Sequence, residues 1–164
     1  MSVKITLITI LCLLSLLTNP HSVHGSRKAN PYLKAQIFSD DPNLNQLLIR
    51  GMEKGIQGDY QGAIADFNKV IIINPYEITA YHNRGIAYIR LENYSQAIAD
   101  FNYALLLDDQ LAEVYLERAK VHLILNNQTK ARSDLQIAAE LFKKQGNTYS
   151  YQETQTLLRQ IKPR

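Results

Sequence analysis

The hexapeptide Ala-Ile-Ala-Asp-Phe-Asn occurs twice in this chain, at 63–68 and again at 97–102, and the two copies are 34 residues apart. A period of this length, with small residues at fixed positions, is typical of arrays of paired helices, because each pair buries its apolar face only against its neighbours. The repeat therefore predicts a stack of helical hairpins, and such a stack favours a scaffold over an enzyme.

The period continues outside the hexapeptide and reaches a third, more divergent copy. An Arg-Gly pair occurs in the first two copies, and in the third copy it becomes Arg118-Ala119. The phenylalanine and asparagine of the hexapeptide become Leu135 and Gln136 there. The aspartate is kept at every copy, which predicts a structural role for Asp66, Asp100 and Asp134. Three repeats follow, at 44–77, 78–111 and 112–145.

Each repeat is expected to contain two helices. In the second repeat, Tyr81, Gly85 and Tyr88 occur at helical spacing, and a turn is expected at Glu92. We expect Gly85 to be small because its helix must approach the partner helix closely, and larger side chains would force the pair apart. His122 stands at the position of Tyr88 and is predicted to be a packing residue.

The first 25 residues lie outside the repeats and have the features of a signal peptide. Lys4 gives a positive start, residues 5–17 are uncharged and apolar, and a cleavage point is expected ahead of Ser26. The apolar run is shorter than the roughly 20 residues of a membrane helix. The segment 1–25 therefore predicts export to a periplasm, a thylakoid lumen or the medium, and an uncleaved membrane anchor is the alternative.

Composition excludes several other classes. Cys12 is the only cysteine, so a cleaved chain would have neither a disulfide nor a thiolate metal site. The formal charge of +3 is too small for a nucleic-acid groove. Residues 26–43 contain prolines and clustered charges and are interpreted as a linker.

Residues 146–164 are predicted to form a C-terminal capping helix, because the last repeat of a stack would otherwise expose an apolar face. One apolar stripe is expected to face the stack, and a set of polar residues is expected to face away. The helix start is open between a capping box at Ser150 and Glu153 and a start at Asn147 or Thr148. The stripe is Tyr151, Thr154, Leu157, Leu158 and Ile161, and the outward set is Gln152, Glu153, Gln155, Arg159 and Gln160.

The pattern resembles the tetratricopeptide repeat (TPR) family, whose repeats have an aromatic residue, a Leu-Gly pair and a tyrosine in the first helix and Ala, Phe and Pro in the second half. The second repeat matches best, and the resemblance covers residues 44–145. The stretch 58–68 is similar to repeats abundant in photosynthetic bacteria. The resemblance implies an all-α, right-handed α-solenoid of three helix-turn-helix repeats plus the capping helix.

The resemblance also implies a concave groove, lined by the first helices of successive repeats, that binds a peptide or a partner helix. The chain is then a non-enzymatic protein-interaction module without a cofactor or a metal, and its partner is an unidentified protein or peptide. Carried onto this sequence, the groove consists of Asn45, Leu48, Met52, Ile56, Thr79, His82, Asn83, Ile86, Arg90, Glu113, Leu116, Glu117 and Lys120.

One TPR subfamily holds the C-terminal carboxylate of chaperone tails in a clamp of Lys, Asn and Arg side chains. This chain departs from that pattern. Leu48 and Met52 replace the first Lys and Asn, Asn83 matches the second Asn, and Glu113 and Glu117 replace the closing Lys and Arg. The two inverted charges disfavour an acidic tail and favour a basic or amphipathic segment at that end.

Two alternatives remain beside the groove. The first is a structural or assembly role in an extracytoplasmic or membrane-associated complex, with the outer faces forming a homo-oligomer. The second is an enzyme, which the sequence disfavours because neither His82 nor His122 has the helical partner of a zinc site. Contact with a membrane is expected only if the N-terminal segment is uncleaved.

Overall fold

The structure, a computed structural model, describes residues 42–161, which form seven α-helices and no strand. The predicted signal peptide, nearly all of the predicted linker and residues 162–164 lie outside the described residues. In chain order the helices are α1 (Pro42–Ile56), α2 (Tyr60–Ile73), α3 (Ile78–Arg90), α4 (Tyr94–Leu107), α5 (Ala112–Ile124), α6 (Gln128–Lys144) and α7 (Thr148–Gln160).

The helices pack in consecutive pairs, α1 with α2, α3 with α4 and α5 with α6, and α7 covers α6. This is the predicted all-α solenoid of three helix-turn-helix repeats with a capping helix. Helix α1 begins at Pro42, inside the stretch interpreted as a linker and ahead of Leu44. A proline is tolerated in the first turn of a helix, because its missing amide would have no partner there. Among the described helices, none combines the length and apolar character of a membrane span.

Close packing between the paired helices explains the small residues of the first helices. A Cβ added to Gly85 would lie 2.6 Å from Cε1 of Phe101. In the first repeat, a Cβ added to Gly51 would lie 2.7 Å from Cε1 of Phe67. In the third repeat, the equivalent residues are Ala119 and Leu135, and both are fully buried. The shorter leucine leaves room for the alanine methyl, so the two substitutions compensate each other.

The repeated hexapeptide also forms a chain of polar contacts along the stack. The Nε and Nη2 atoms of Arg84 donate to the two carboxylate oxygens of Asp100, at 2.8 and 2.6 Å. The Nη1 atom of Arg84 donates across the repeat boundary to Oδ1 of Asn68, at 2.5 Å. The equivalent residues of the next repeat are Arg118, Asp134 and Asn102. The aspartate therefore joins the two helices of one repeat, and the asparagine joins that repeat to the next.

The turns between paired helices need a left-handed backbone at one repeated position. That position is Gly58 in the first repeat, with a φ of 84°, Glu92 in the second, with a φ of 59°, and Asn126 in the third, with a φ of 57°. The amide of Asn93 donates to the carbonyl of Tyr88, at 2.8 Å, which closes the helix end. The turn expected at Glu92 is therefore confirmed, and only the first repeat places there the residue that tolerates this φ best.

The capping helix begins after Asn147, whose side chain accepts a hydrogen bond from the amide of Ser150 at 3.1 Å. The structure thus selects the Asn147 start over the capping box. Each repeat has its own cluster of buried apolar residues, and the third core cluster is that of the third repeat, with Leu135 and Phe142 among its members. The predicted stripe faces the stack, since Thr154 and Ile161 are buried and the other members pack against the third core cluster. Glu153 was wrongly expected to face away, because its carboxylate contacts Lys120 of α5 at 3.0 Å.

Candidate peptide-binding groove

The first helices of the three repeats form one continuous layer. Helix α1 contacts α3 directly, and α3 contacts α5, whereas contacts between second helices of the described residues are weaker. Helices that approach each other closely lie on the inner side of a curved stack, so this layer is the concave one. The predicted groove residues belong to these helices.

A cavity of about 360 Å³ lies between α1 and α3. Met52 and Ile56 line it from α1, and Ile86 and Arg90 line it from α3. Met52 is 43% exposed and Ile56 is 87% exposed, so both side chains present apolar surface to solvent. The structure therefore brings five of the residues predicted to line the groove, these four and Asn83, into one pocket.

Gly55 forms part of the pocket wall. A Cβ added to Gly55 would meet only the Cβ of Ala63, at 4.0 Å. Packing within the protein therefore does not require glycine here. Gly51 lines the same pocket and differs, since its added Cβ would clash with Phe67.

The remaining predicted residues of α1 and α3 lie in several environments. Asn83 lines the pocket, and its Nδ2 atom donates to the carbonyl of Thr79 at 2.8 Å. Asn45 and Thr79 are exposed outside the pocket, and Leu48 is half-buried against the first core cluster. Leu116 does not line the groove as predicted, because it is only 5% exposed and belongs to the third core cluster.

His82 lies half-buried between the pocket and the third repeat. Its ring centroid is 6.1 Å from that of Phe101, and its Nε2 atom is buried without a hydrogen-bond partner among residues 42–161. Burial lowers the pKa of His82, and the nearby carboxylates of Glu117 and Glu113 oppose this effect only in part. His82 is therefore neutral at pH 7.

The third-repeat end of the layer is acidic. Glu113 is exposed on α5, and Nζ of Lys120 lies 3.0 Å from a carboxylate oxygen of Glu117 and 3.0 Å from one of Glu153. Burial lowers the pKa of Lys120, but the ion pairs with Glu117 and Glu153 outweigh it and the net shift is upward. Glu153 is the residue of this end that the sequence missed, since a helix after the repeats has no repeat position to place it.

His122 is buried, as expected of a packing residue. It is 6% exposed, its Nε2 atom lies 4.0 Å from a carboxylate oxygen of Asp134, and burial lowers its pKa. Within the part of the chain that the structure describes, no group of three or more His, Cys, Asp or Glu side chains is arranged to hold a metal ion.

Comparison with known proteins identifies the architecture. The tetratricopeptide repeat family model matches residues 78–111. No curated protein sequence matches the chain. Among solved structures, the TPR2B domain of yeast Sti1 in complex with a pHsp70 peptide has a TM-score of 0.69 and 23% identity, over 73% of this chain and 95% of that one.

Two further structures are similar. The first TPR domain of Spaghetti (RPAP3), bound to the HSP90 peptide SRMEEVD, has a TM-score of 0.66 and 27% identity, over 74% of this chain and 92% of that one. PcrH, in complex with the chaperone-binding region of PopD, has a TM-score of 0.69 and 22% identity, over 72% of this chain and 90% of that one. The second repeat therefore matches the tetratricopeptide-repeat family model, and the chain shares its fold with these TPR domains.

Proposed function

We propose that this chain is a non-enzymatic protein-interaction module, which binds a peptide or a partner helix in the concave groove formed by α1, α3 and α5. The pocket between α1 and α3 carries the proposal, because it presents exposed Met52 and Ile56 beside a wall that Gly55 keeps open. Burying one aliphatic side chain there contributes about 1.5 to 3 kcal/mol. That range corresponds to about a tenfold to hundredfold gain in affinity.

Similar structures support this function by the ligands that they contain. The Sti1 and RPAP3 domains are bound to Hsp70 and HSP90 peptides, and PcrH is bound to a region of PopD. A fold alone does not specify a function, so the argument for this chain depends on its own pocket.

The test is recovery of a partner by the immobilised full chain from an extract of its source, compared between variants. Gly55→Leu fills the pocket, and Arg90→Glu and His82→Ala change its rim and the neighbouring surface. Leu106→Ala is the matched control, because Leu106 is 78% exposed on a second helix. We expect the groove variants to lose the partner that the native chain and the control retain. Equal recovery by all forms would contradict the proposal.

A structural or assembly role is the second candidate, and one observation favours it. Ile72 and Leu106 occupy equivalent repeat positions on α2 and α4 and are 79% and 78% exposed. Sedimentation velocity of the full chain, with Ile72→Gln/Leu106→Gln as the comparison, tests self-association through this outer face. A sedimentation coefficient that corresponds to a monomer at all concentrations would refute self-association.

Export remains the proposal for localisation, and it depends on residues 1–25 alone. Mass analysis of the chain isolated from its source is the test. A mature protein that begins near Ser26 is expected, and an intact N-terminus on a chain recovered from the cytosol would refute export.

A further inference from the structure

The groove changes in chemical character along its length. Its first part is the pocket between α1 and α3, with Met52, Ile56 and Ile86 as its apolar wall. Its far end, on α5 and α7, has the carboxylates of Glu113, Glu117 and Glu153. An occupant that spans both parts therefore meets apolar surface first and negative charge second.

Within the described helices, the negative charge at the far end is only partly compensated. Lys120 pairs with Glu117 and Glu153, each at 3.0 Å, so two carboxylates share one ammonium group. Among the described residues, no cation forms an ion pair with Glu113, which is exposed. The neighbouring His82 adds no positive charge at pH 7. This end therefore attracts cationic side chains and repels anionic ones.

The two parts are separated by a distance that one short segment can span. The pocket lies between α1 and α3, and the carboxylates lie on the next first helix, α5. Neighbouring helices lie about 8 to 10 Å apart, and the acidic residues are displaced by about one helical turn along the axis, so the separation is roughly 15 Å. An extended segment covers this distance in about five residues, and a helical one in about ten.

We propose that the groove selects a segment of another protein that joins a bulky apolar anchor to Lys or Arg side chains. The anchor fills the pocket beside Gly55, and the cationic groups lie against Glu113 and Glu117. This inference rests on the proposed function of the groove. It also separates the chain from the similar RPAP3 domain, whose bound peptide SRMEEVD carries three acidic residues near its carboxyl end. An acidic end of that kind would meet carboxylates here.

Selection from a random-peptide phage library on the immobilised full chain tests the chemistry without a known partner. Selected peptides are expected to contain more Lys and Arg than Asp and Glu, together with at least one Leu, Ile, Met, Phe or Trp. A synthetic copy of the most enriched peptide is then titrated by fluorescence anisotropy. We expect Glu113→Lys/Glu117→Lys to weaken its binding by about tenfold at low salt, and we expect added salt to weaken the native complex.

The control has the same change in net charge at a different place. Glu92→Lys/Glu140→Lys replaces two exposed glutamates outside the groove, so it should change the affinity less than about twofold. Glu113→Gln/Glu117→Gln, which removes the charges without reversing them, should give an intermediate loss. Circular dichroism confirms that each variant is folded.

The outcomes separate this inference from the function on which it rests. Peptides that lose binding with Gly55→Leu but lack a basic bias, or bind Glu113→Lys/Glu117→Lys as tightly as the native chain, would overturn the charge selection and leave the groove as a binding site. A library that yields no peptide, or peptides indifferent to Gly55→Leu and to both groove charges, would overturn the groove itself.

The selected peptide and the charge-reversed variant also test two other possible occupants of the groove. A synthetic peptide of residues 26–41 that displaces the selected peptide with higher affinity would assign the groove to the chain's own preceding segment. A dimer in sedimentation velocity that Glu113→Lys/Glu117→Lys dissociates would assign it to a second copy of the chain. Either result would overturn the proposal of a foreign basic segment.

Discussion

Gly55→Ala and Gly85→Ala are the same chemical change in two first helices, and the structure predicts that only the first of them stabilises the fold. Alanine in place of glycine within a helix stabilises by about 1 kcal/mol. At Gly55 nothing opposes this gain, because the added Cβ would lie 4.0 Å from the Cβ of Ala63, which is an ordinary contact. Gly55→Ala is therefore expected to raise the free energy of unfolding by about 1 kcal/mol.

At Gly85 the added Cβ would lie 2.6 Å from Cε1 of Phe101. That is about 1 Å closer than an optimal carbon–carbon contact, and the ring is fully buried. Overpacking of this kind costs about 1 to 3 kcal/mol. Gly85→Ala should therefore be less stable than Gly55→Ala by about 1 to 3 kcal/mol, after the common helix gain cancels.

Urea denaturation followed by circular dichroism measures both variants, with an unchanged slope showing that the stability itself has changed. The third repeat suggests a second variant to measure, since it has an alanine and a leucine at the positions of Gly85 and Phe101. Adding Phe101→Leu to Gly85→Ala should cost less than Phe101→Leu alone costs in the native background. Equal stability of Gly55→Ala and Gly85→Ala, or strictly additive effects in the double variant, would refute the packing argument.

Three further predictions concern charges and turns. Asp100→Ala should lower the free energy of unfolding by about 1.5 to 3 kcal/mol in urea titration, because it removes the carboxylate that accepts from two nitrogens of part-buried Arg84 and leaves only the bond to Asn68. Asp66→Ala should cost less, because its partners Arg50 and Lys54 are more exposed than Arg84. Burial lowers the pKa values of His82 and His122, so stability should be complete above the ordinary histidine pKa of about 6.5 and fall as the pH is lowered below it. A His82→Gln/His122→Gln variant should show a flatter urea-stability profile. Glu92→Gly should raise the thermal midpoint, with a gain of about 0.5 to 1 kcal/mol, since it relieves a left-handed backbone; a lower midpoint would contradict that reason.

Much of the fold was predictable because equivalent residues make equivalent packing contacts in each of the three repeats. The period located the helix pairs, and the small size of Gly85 predicted the close approach that the structure shows against Phe101. What the sequence did not reveal was the partner of each polar residue. The arginine that binds Asp100 is 16 residues earlier in the chain, and it also reaches Asn68 in the preceding repeat. Side-chain pairs across helices depend on the crossing geometry, which periodicity does not specify.

The candidate site was predictable only in part, for a related reason. Repeat phase placed Met52, Ile86 and Arg90 in the predicted groove, and in the structure these three residues line one pocket. It failed for Leu116, which is buried in the core of the third repeat, and it missed Glu153, which the capping helix contributes. Both errors lie at the C-terminal end of the stack.

The change in character along the groove arises at positions where the repeats disagree. Met52, Ile86 and Lys120 are equivalent positions of α1, α3 and α5, and so apolar side chains in the first two repeats give way to an ammonium in the third. The same shift occurs from Asn83 to Glu117. Because the identical residues are buried between helices, they are held constant by packing, and the groove positions are free to vary without loss of the fold. Under the proposed function, recognition is encoded in the differences between the repeats, and exchanging a groove residue for its repeat equivalent should change the ligand while the stability stays the same.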